Sequence, residues 1–242
     1  MNQIRGLVVC VNYDDLLRIT LPRNMGHLSE CLVVTHPDDT KTQQVAKAAG
    51  AQVLLTDVFY RHGAKFNKGA AIEDGLCHLG RGGWTMVWDA DTLLPPKIGW
   101  PALAPGRLYG AARRMLENPK DWHPDLDWSQ LPSRNTPPYM GYCQLFHMSD
   151  KVLQFQPWYP VDWAHAGGCD THFRNKWSRR LWTPLPFEVL HIGPAKTNWA
   201  GRASARTDDA PVPDAAGKAQ QMQQILRIHN THRYRAEERV QC

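Results

Sequence analysis

Trp84-Thr-Met-Val-Trp-Asp-Ala-Asp-Thr-Leu-Leu-Pro95 carries an apolar run directly into two carboxylates one residue apart. Successive side chains of a strand point to opposite faces, so Asp89 and Asp91 share a side and Ala90 takes the other. Two like charges at the end of a buried strand are costly unless compensated, and they suit a hard divalent cation that already carries phosphate oxygens. Asp is also favoured in turns and at helix N-caps, so the pair alone does not distinguish a metal-diphosphate site from a solvated turn. Its surroundings must decide.

The elements that would position this pair follow from periodicity. Short apolar runs at residues 4–12, 31–36, 51–56 and 84–89 read as strands. Helical stretches at 14–25, 39–49 and 67–79 lie between them. This alternation predicts an α/β fold with a mostly parallel central sheet flanked by helices and joined by right-handed crossovers. In such sheets ligands bind beyond the carboxyl ends of the strands, here Asn12-Tyr13-Asp14, Thr35 to Asp39, Thr56-Asp57 and Asp89 to Asp91. The second half differs, with seven of the ten tryptophans between Trp122 and Trp199. Strands are expected at 107–113 and 142–148, a long loop at 117–139 and a helix at 170–180. Loops of that length in a compact domain often bind ligands. Residues 201–217 read as a linker into a final helix at 218–239, whose Met222, Ile225 and Leu226 form a modest apolar stripe.

The 242 residues suit one large domain, and 43% hydrophobic with 21% charged residues is a globular composition. No run of about 18 apolar residues is present to span a bilayer. The opening Ile4-Arg-Gly-Leu-Val-Val-Cys-Val11 is too short and poorly flanked for a signal peptide, so a cytoplasmic protein is expected. The six cysteines are scattered, three of them in apolar runs, and indicate neither a disulfide framework nor a paired-cysteine zinc site. A net charge of +5 favours anionic substrates without naming one. Arg174, Lys176, Arg179 and Arg180 interleave with Phe173, Trp177 and Trp182 as either a solvated helix face or a phosphate-contacting patch.

Four segments in order, Val8-Val-Cys-Val-Asn12, Val33 to Asp39, Phe66-Asn-Lys-Gly-Ala-Ala-Ile-Glu-Asp-Gly-Leu76 and Trp88-Asp-Ala-Asp91, resemble the nucleotide-sugar half of A-type (GT-A fold) glycosyltransferases, especially family 2-like members. The resemblance covers residues 4–95 well and 140–200 loosely. It implies a nucleotide-diphospho-sugar transferase fold in a single catalytic domain, 1–200. The nucleotide-sugar half would be 1–95 and the smaller acceptor half 96–200, with 201–242 as linker and C-terminal helix.

The resemblance further implies that Asp91 binds a divalent cation, Mn2+ or Mg2+. Asp89 would contact the sugar nucleotide or reach the metal through water, and His191 in Phe187-Glu-Val-Leu-His-Ile-Gly-Pro194 would be a third ligand. Val11, Asn12 and Tyr13 would hold the nucleotide, Asp38 or Asp39 would lie near its base or ribose, and Lys68 would meet the diphosphate or donor sugar, aided by the positive end of its helix. Without the family, His191 reads as a hydrogen-bonded histidine and Lys68 as a solvated first-turn residue.

Asp170 in Ala166-Gly-Gly-Cys-Asp-Thr-His172 is the base candidate, with Asp162 second. Cys169 stands where family members often carry the first acid of a pair, and Asp170 could equally cap its helix. The donor implied is a UDP-sugar. The acceptor stays open between a carbohydrate, a small metabolite and a modified DNA base, as does retention against inversion. Two rival readings are a sugar-nucleotidyltransferase, although the glycine-rich loop typical after its first strand is replaced here by Val-Asn-Tyr-Asp-Asp-Leu, and a non-catalytic nucleotide-sugar-binding module.

Overall fold

A computed structural model describes residues 3–134 and 141–238, excluding the side chains of 228–238. The first half is a strict alternation: β1 (Ile4–Val9), α1 (Asp14–Met25), β2 (Glu30–Thr35), α2 (Thr40–Ala48), β3 (Gln52–Leu55), α3 (Lys68–His78) and β4 (Trp84–Trp88). β1 pairs in parallel with both β2 and β4, and β2 with β3. Alternation within the strands builds two cores. Val8, Val33, Met86 and Trp88 face α1 residues Leu16, Leu17 and Leu21, whereas Leu7, Val9, Leu32, Val34 and Val87 face Ile72 and Leu76 of α3. The first face tolerates no extra carbon at Gly6, where a Cβ would overlap the Trp88 ring.

The second half completes the sheet with β5 (Thr92–Leu93), β6 (Leu108–Leu116), β7 (Ser133–Arg134), β8 (Cys143–His147), a short α4 (Cys169–Arg174) and β9 (Trp182–Ile192), before α5 (Ala215–Glu238). The order is β3-β2-β1-β4-β8-β6-β9-β5, with β7 on β6. β8 runs antiparallel to β4 with Trp88 opposite Cys143, which sets Gly141 and Tyr142 against the two aspartates. β9 is longer than the sequence suggests because Pro184 and Pro186 interrupt its pattern. A register shift absorbs them: from Gly110 to Ala112 on β6, the partner on β9 moves from Pro184 to Glu188.

The expected helix at 170–180 stops at Arg174. Arg174 lies over the Trp182 ring and the Trp182 indole donates to the Trp177 carbonyl at 3.2 Å, so the chain folds back toward β9. Phe173 and Trp177 are core residues, and Arg179 and Arg180 are solvent-exposed. Within the long loop, Trp122, Leu126, Trp128 and Leu131 pack against the first core, and β7 pairs with β6; residues 135–139 of that loop lie outside the described residues.

Residues 202–207 are tied to α1. Arg202 makes two hydrogen bonds to Asp15, at 2.9 and 3.0 Å, and Arg206 makes two to Asp14, both at 2.8 Å. Arg202 is fully buried, and its guanidinium lies 4.6 Å from the centre of the Tyr13 ring. Beyond it, Met222 and Ile225 of α5 pack on Ala200. Among the described residues no helix is long and apolar enough to cross a membrane.

Candidate active site

The carboxyl ends of β1 and β4, the turn before β8, the start of α4 and the end of β9 surround a cavity of about 630 Å³. That volume is in the range of small-molecule sites. Tyr13, Lys68, Asp89, Asp91, Asp170 and His191 all line it. Residues as far apart in sequence as Tyr13 and His191 are thus brought to one cleft by the strand order.

Asp89 and Asp91 meet different partners. Asp89 forms an ion pair with Lys68, the first residue of α3. Burial alone would lower the Lys68 pKa, but Asp89, with Cys169 and Asp170 nearby, holds it above the ordinary lysine value. Asp91 is buried, and its Oδ1 has no hydrogen-bond partner. Burial pushes its carboxyl above the usual carboxylate range, against the lowering influence of His191.

His191 reaches Asp91 because β5 and β9 pair with Thr92 opposite His191, and because the Ile192 N–H donates to the Asp91 carbonyl at 2.8 Å. Its Nδ1 lies 3.1 Å from the Gly193 carbonyl oxygen, which can only accept, so Nδ1 carries the proton. The other ring nitrogen, Nε2, faces Asp91 Oδ1 at 3.7 Å. A proton on Nε2 or a cation between the two groups would fill that gap.

Asp91 and His191 would hold a cation in that gap. Carboxylate and imidazole are both proper donors for a divalent first-row ion, and Mg2+ or Mn2+ usually completes its shell with water and substrate phosphates. The residues therefore fit such a cation as a two-ligand site. Among the described residues no three His, Cys, Asp or Glu side chains converge as a metal-binding group, and the Asp89 carboxylate is engaged by Lys68.

Asp170 sits at the start of α4, after Gly168 in a left-handed conformation with φ of 86°. Its Oδ2 accepts the Gly141 N–H at 2.9 Å, leaving the carboxylate on the cavity wall. The neighbouring Cys169 is a buried thiol whose pKa burial raises to about 12, so it stays neutral and gives no second acid.

Five of the sequence candidates, Val11, Asn12, Asp38, Asp39 and Asp162, lie away from the cavity lining. Val11 is buried in the second core. Asp39 caps α2 through the Thr42 N–H at 3.2 Å, and it accepts the Asn12 N–H at 2.6 Å, fixing Asn12 at a φ of 65°. Asp39 thus shapes the loop after β1 from beneath. Asp38 is exposed, and Asp162 lines a smaller adjacent cavity of about 320 Å³. The cavity also has walls that sequence reading did not single out: Arg113, Lys196 and Asn198. Arg113 was hidden in an ordinary-looking strand; only its register beside β9 places it on the His191 face.

A scan against protein-family models found no match, and neither did a search of curated proteins. Among solved structures, mannosyl-3-phosphoglycerate synthase from Rubrobacter xylanophilus is similar at 18% identity over 79% of this chain and 67% of that one, with a TM-score of 0.51. Glucosyl-3-phosphoglycerate synthase from Mycobacterium tuberculosis, in complex with Mn2+, UDP and glucosyl-3-phosphoglycerate, matches at 13% identity over 91% and 77% of the two chains, with a TM-score of 0.49. A 4-diphosphocytidyl-2C-methyl-D-erythritol synthase matches at 16% identity over 81% and 90%, with a TM-score of 0.44. The chain has the A-type (GT-A) nucleotide-sugar transferase fold.

Proposed function

We propose that this protein is a divalent-metal-dependent glycosyltransferase that moves a sugar from a nucleotide-diphosphate donor, a UDP-sugar, to a hydroxyl of an acceptor. The observation that carries the reading is the unpartnered Asp91 Oδ1 facing His191 Nε2, 3.7 Å away on the wall of the cleft at the strand ends. These two residues would hold the cation. Bound there, Mn2+ or Mg2+ would offset the charge that develops on the diphosphate leaving group.

The chain's own residues supply the rest. Tyr13, braced by Arg202 behind its ring, offers a flat wall for the nucleoside, and the Asn12 backbone beside it is fixed by Asp39. Lys68, held cationic by Asp89, presents positive charge to the donor. Asp170 accepts the proton of the attacking hydroxyl as the acceptor oxygen bonds the anomeric carbon and the bond to the nucleoside diphosphate breaks. That assignment describes an inverting transfer.

Calorimetry with UDP and Mn2+ tests the reading. Uptake by the wild type that depends on Mn2+, and loss of that dependence in Asp91→Ala, are expected, together with release of UDP from one member of a UDP-sugar panel. A wild type that takes up no nucleotide with Mn2+ present would refute the proposal.

A further inference from the structure

Arg113 is a cation in the cleft with no use in the chemistry above. On β6 it pairs in register with Val189, two residues before His191 on the parallel β9, so its side chain leaves the sheet on the same face as His191. It lines the main cavity. Its guanidinium stacks on the buried Tyr142 ring, 4.6 Å from the centroid, which orients the plane without satisfying its donors. Among the described residues its Nε is buried without a hydrogen-bond partner.

Lys196 also lines the cleft, as a point charge without the paired donors of a guanidinium. Lys68 is matched by Asp89, Asp91 faces His191, and Asp170 accepts from Gly141. Guanidinium is the group that proteins use to grip planar or tetrahedral oxyanions through paired N–H donors, and a half-buried one left open strongly favours such a partner.

Location says which substrate carries that anion. Gly141 holds the Asp170 carboxylate and Tyr142, the next residue, carries Arg113 on its ring. The base candidate and the open guanidinium therefore flank one turn and line the same cavity, within which one molecule can meet both. We infer that the acceptor is a small hydroxyl compound bearing a phosphate or carboxylate, whose oxyanion is bound by Arg113 while its hydroxyl faces Asp170. Arg113 is then the residue that selects the acceptor class. This rests on the transferase reading for the role of Asp170, but not for the binding of the anion.

Matched probes test it: glycerol, glycerol 3-phosphate and glycerate, titrated calorimetrically into protein preloaded with UDP and Mn2+ and, in parallel, into protein without nucleotide. Either anionic probe should bind at least about tenfold more tightly than glycerol, the effect of one charge-assisted contact. The phosphate and carboxylate arms tell which oxyanion is preferred.

Arg113→Gln should lose that preference while still taking up UDP, and Arg113→Lys should recover part of it. As a measurement independent of any variant, inorganic phosphate should compete with the anionic probe on the UDP-loaded wild type. Equal affinity for glycerol and both anions, or an anion preference that survives in Arg113→Gln, overturns the inference. UDP uptake without anion preference removes this inference alone. Anion preference at Arg113 without UDP uptake upholds the anion site and removes the transferase reading.

Discussion

At the scale of single residues, the cleft works by leaving certain groups unmatched. Most buried polar atoms find a partner, and an orphan costs on the order of 1–3 kcal/mol, so an open Asp91 Oδ1 facing the His191 ring is the place where the proposed cation would settle that cost. Asp170 is different, because its position hangs on one backbone N–H. A Cβ on Gly141 would lie 2.8 Å from the Asp170 Cβ, closer than such atoms approach. Gly141→Ala must therefore push α4 or the turn outward by a few tenths of an ångström. The residues proposed to hold UDP are on other elements and should keep their affinity, whereas misplacing the proposed base should slow transfer by about ten- to a hundredfold. Steady-state kinetics beside a UDP titration would check this, and an unchanged turnover number would show that Asp170 is not held for catalysis.

At the scale of elements, the tie between residues 202–207 and α1 makes the clearest energetic statement. Arg202 and Asp15 are both almost wholly out of solvent, so removing one leaves a buried charge alone, a loss of about 3–5 kcal/mol. Arg202→Ala should fall in that range by chemical denaturation, and adding Asp15→Ala should return part of it, since the stranded carboxylate is then gone. A double variant no more stable than the single one would mean that the pair contributes packing alone.

Arg206 gives the same tie a pH dependence. Its hydrogen bonds hold the Asp14 carboxyl below the usual range and bring Asp208 down to about 2. Carboxyls depressed in the folded state stabilise it above their unfolded values, near 3.9, and that stability is lost as pH falls through the folded values. The melting temperature should be level above about pH 5 and fall between about pH 4 and 2. Arg206→Gln should start lower at neutral pH and fall less steeply. Asp208 is largely exposed, so added salt should weaken its share.

The elements also show what was legible in the sequence. β1 to β4 and their helices follow directly from apolar runs that alternate with capped polar stretches, because a parallel sheet buried on both faces leaves a strong local pattern. The antiparallel insertion of β8, the two residues of β5 and the full length of β9 leave almost none, since they are set by pairing across more than 50 residues and by prolines absorbed in a register shift. Asp91 and His191 could be named in advance by family order. Their facing geometry, the commitment of Asp89 to Lys68, the capping work of Asp39 and the open guanidinium of Arg113 depend on distances that no spacing along the chain encodes. Composition hid Arg202 and Arg206 most completely, for a stretch rich in Ala, Pro, Asp and Arg looks like a solvated linker until its arginines find carboxylates.

At the scale of the whole molecule, the cleft is closed by the two distant parts of the chain that meet at α1, and this predicts where the chain can be shortened. We propose that the catalytic unit ends shortly after the Arg206 tie and that α5 is an accessory helix. Of its described side chains, Met222 and Ile225 are buried, worth about 3–6 kcal/mol in gross transfer free energy. Ordering a helix of 24 residues offsets much of that. A chain ending at Ala210 should therefore fold, melt within about 5 °C of the full chain and still take up UDP with Mn2+. A chain ending at Gly193 keeps every strand of the sheet and His191, yet it strands Asp14 and Asp15 beneath the donor loop without their arginines. That shorter chain should be destabilised by several kcal/mol and lose nucleotide uptake, because Tyr13 loses the guanidinium behind its ring along with the charge balance of α1. Thermal melting and UDP calorimetry on the two truncations separate the cases: equal behaviour of both would mean that the arginine tie does not brace the cleft, and loss of folding in the longer one would place α5 within the catalytic unit.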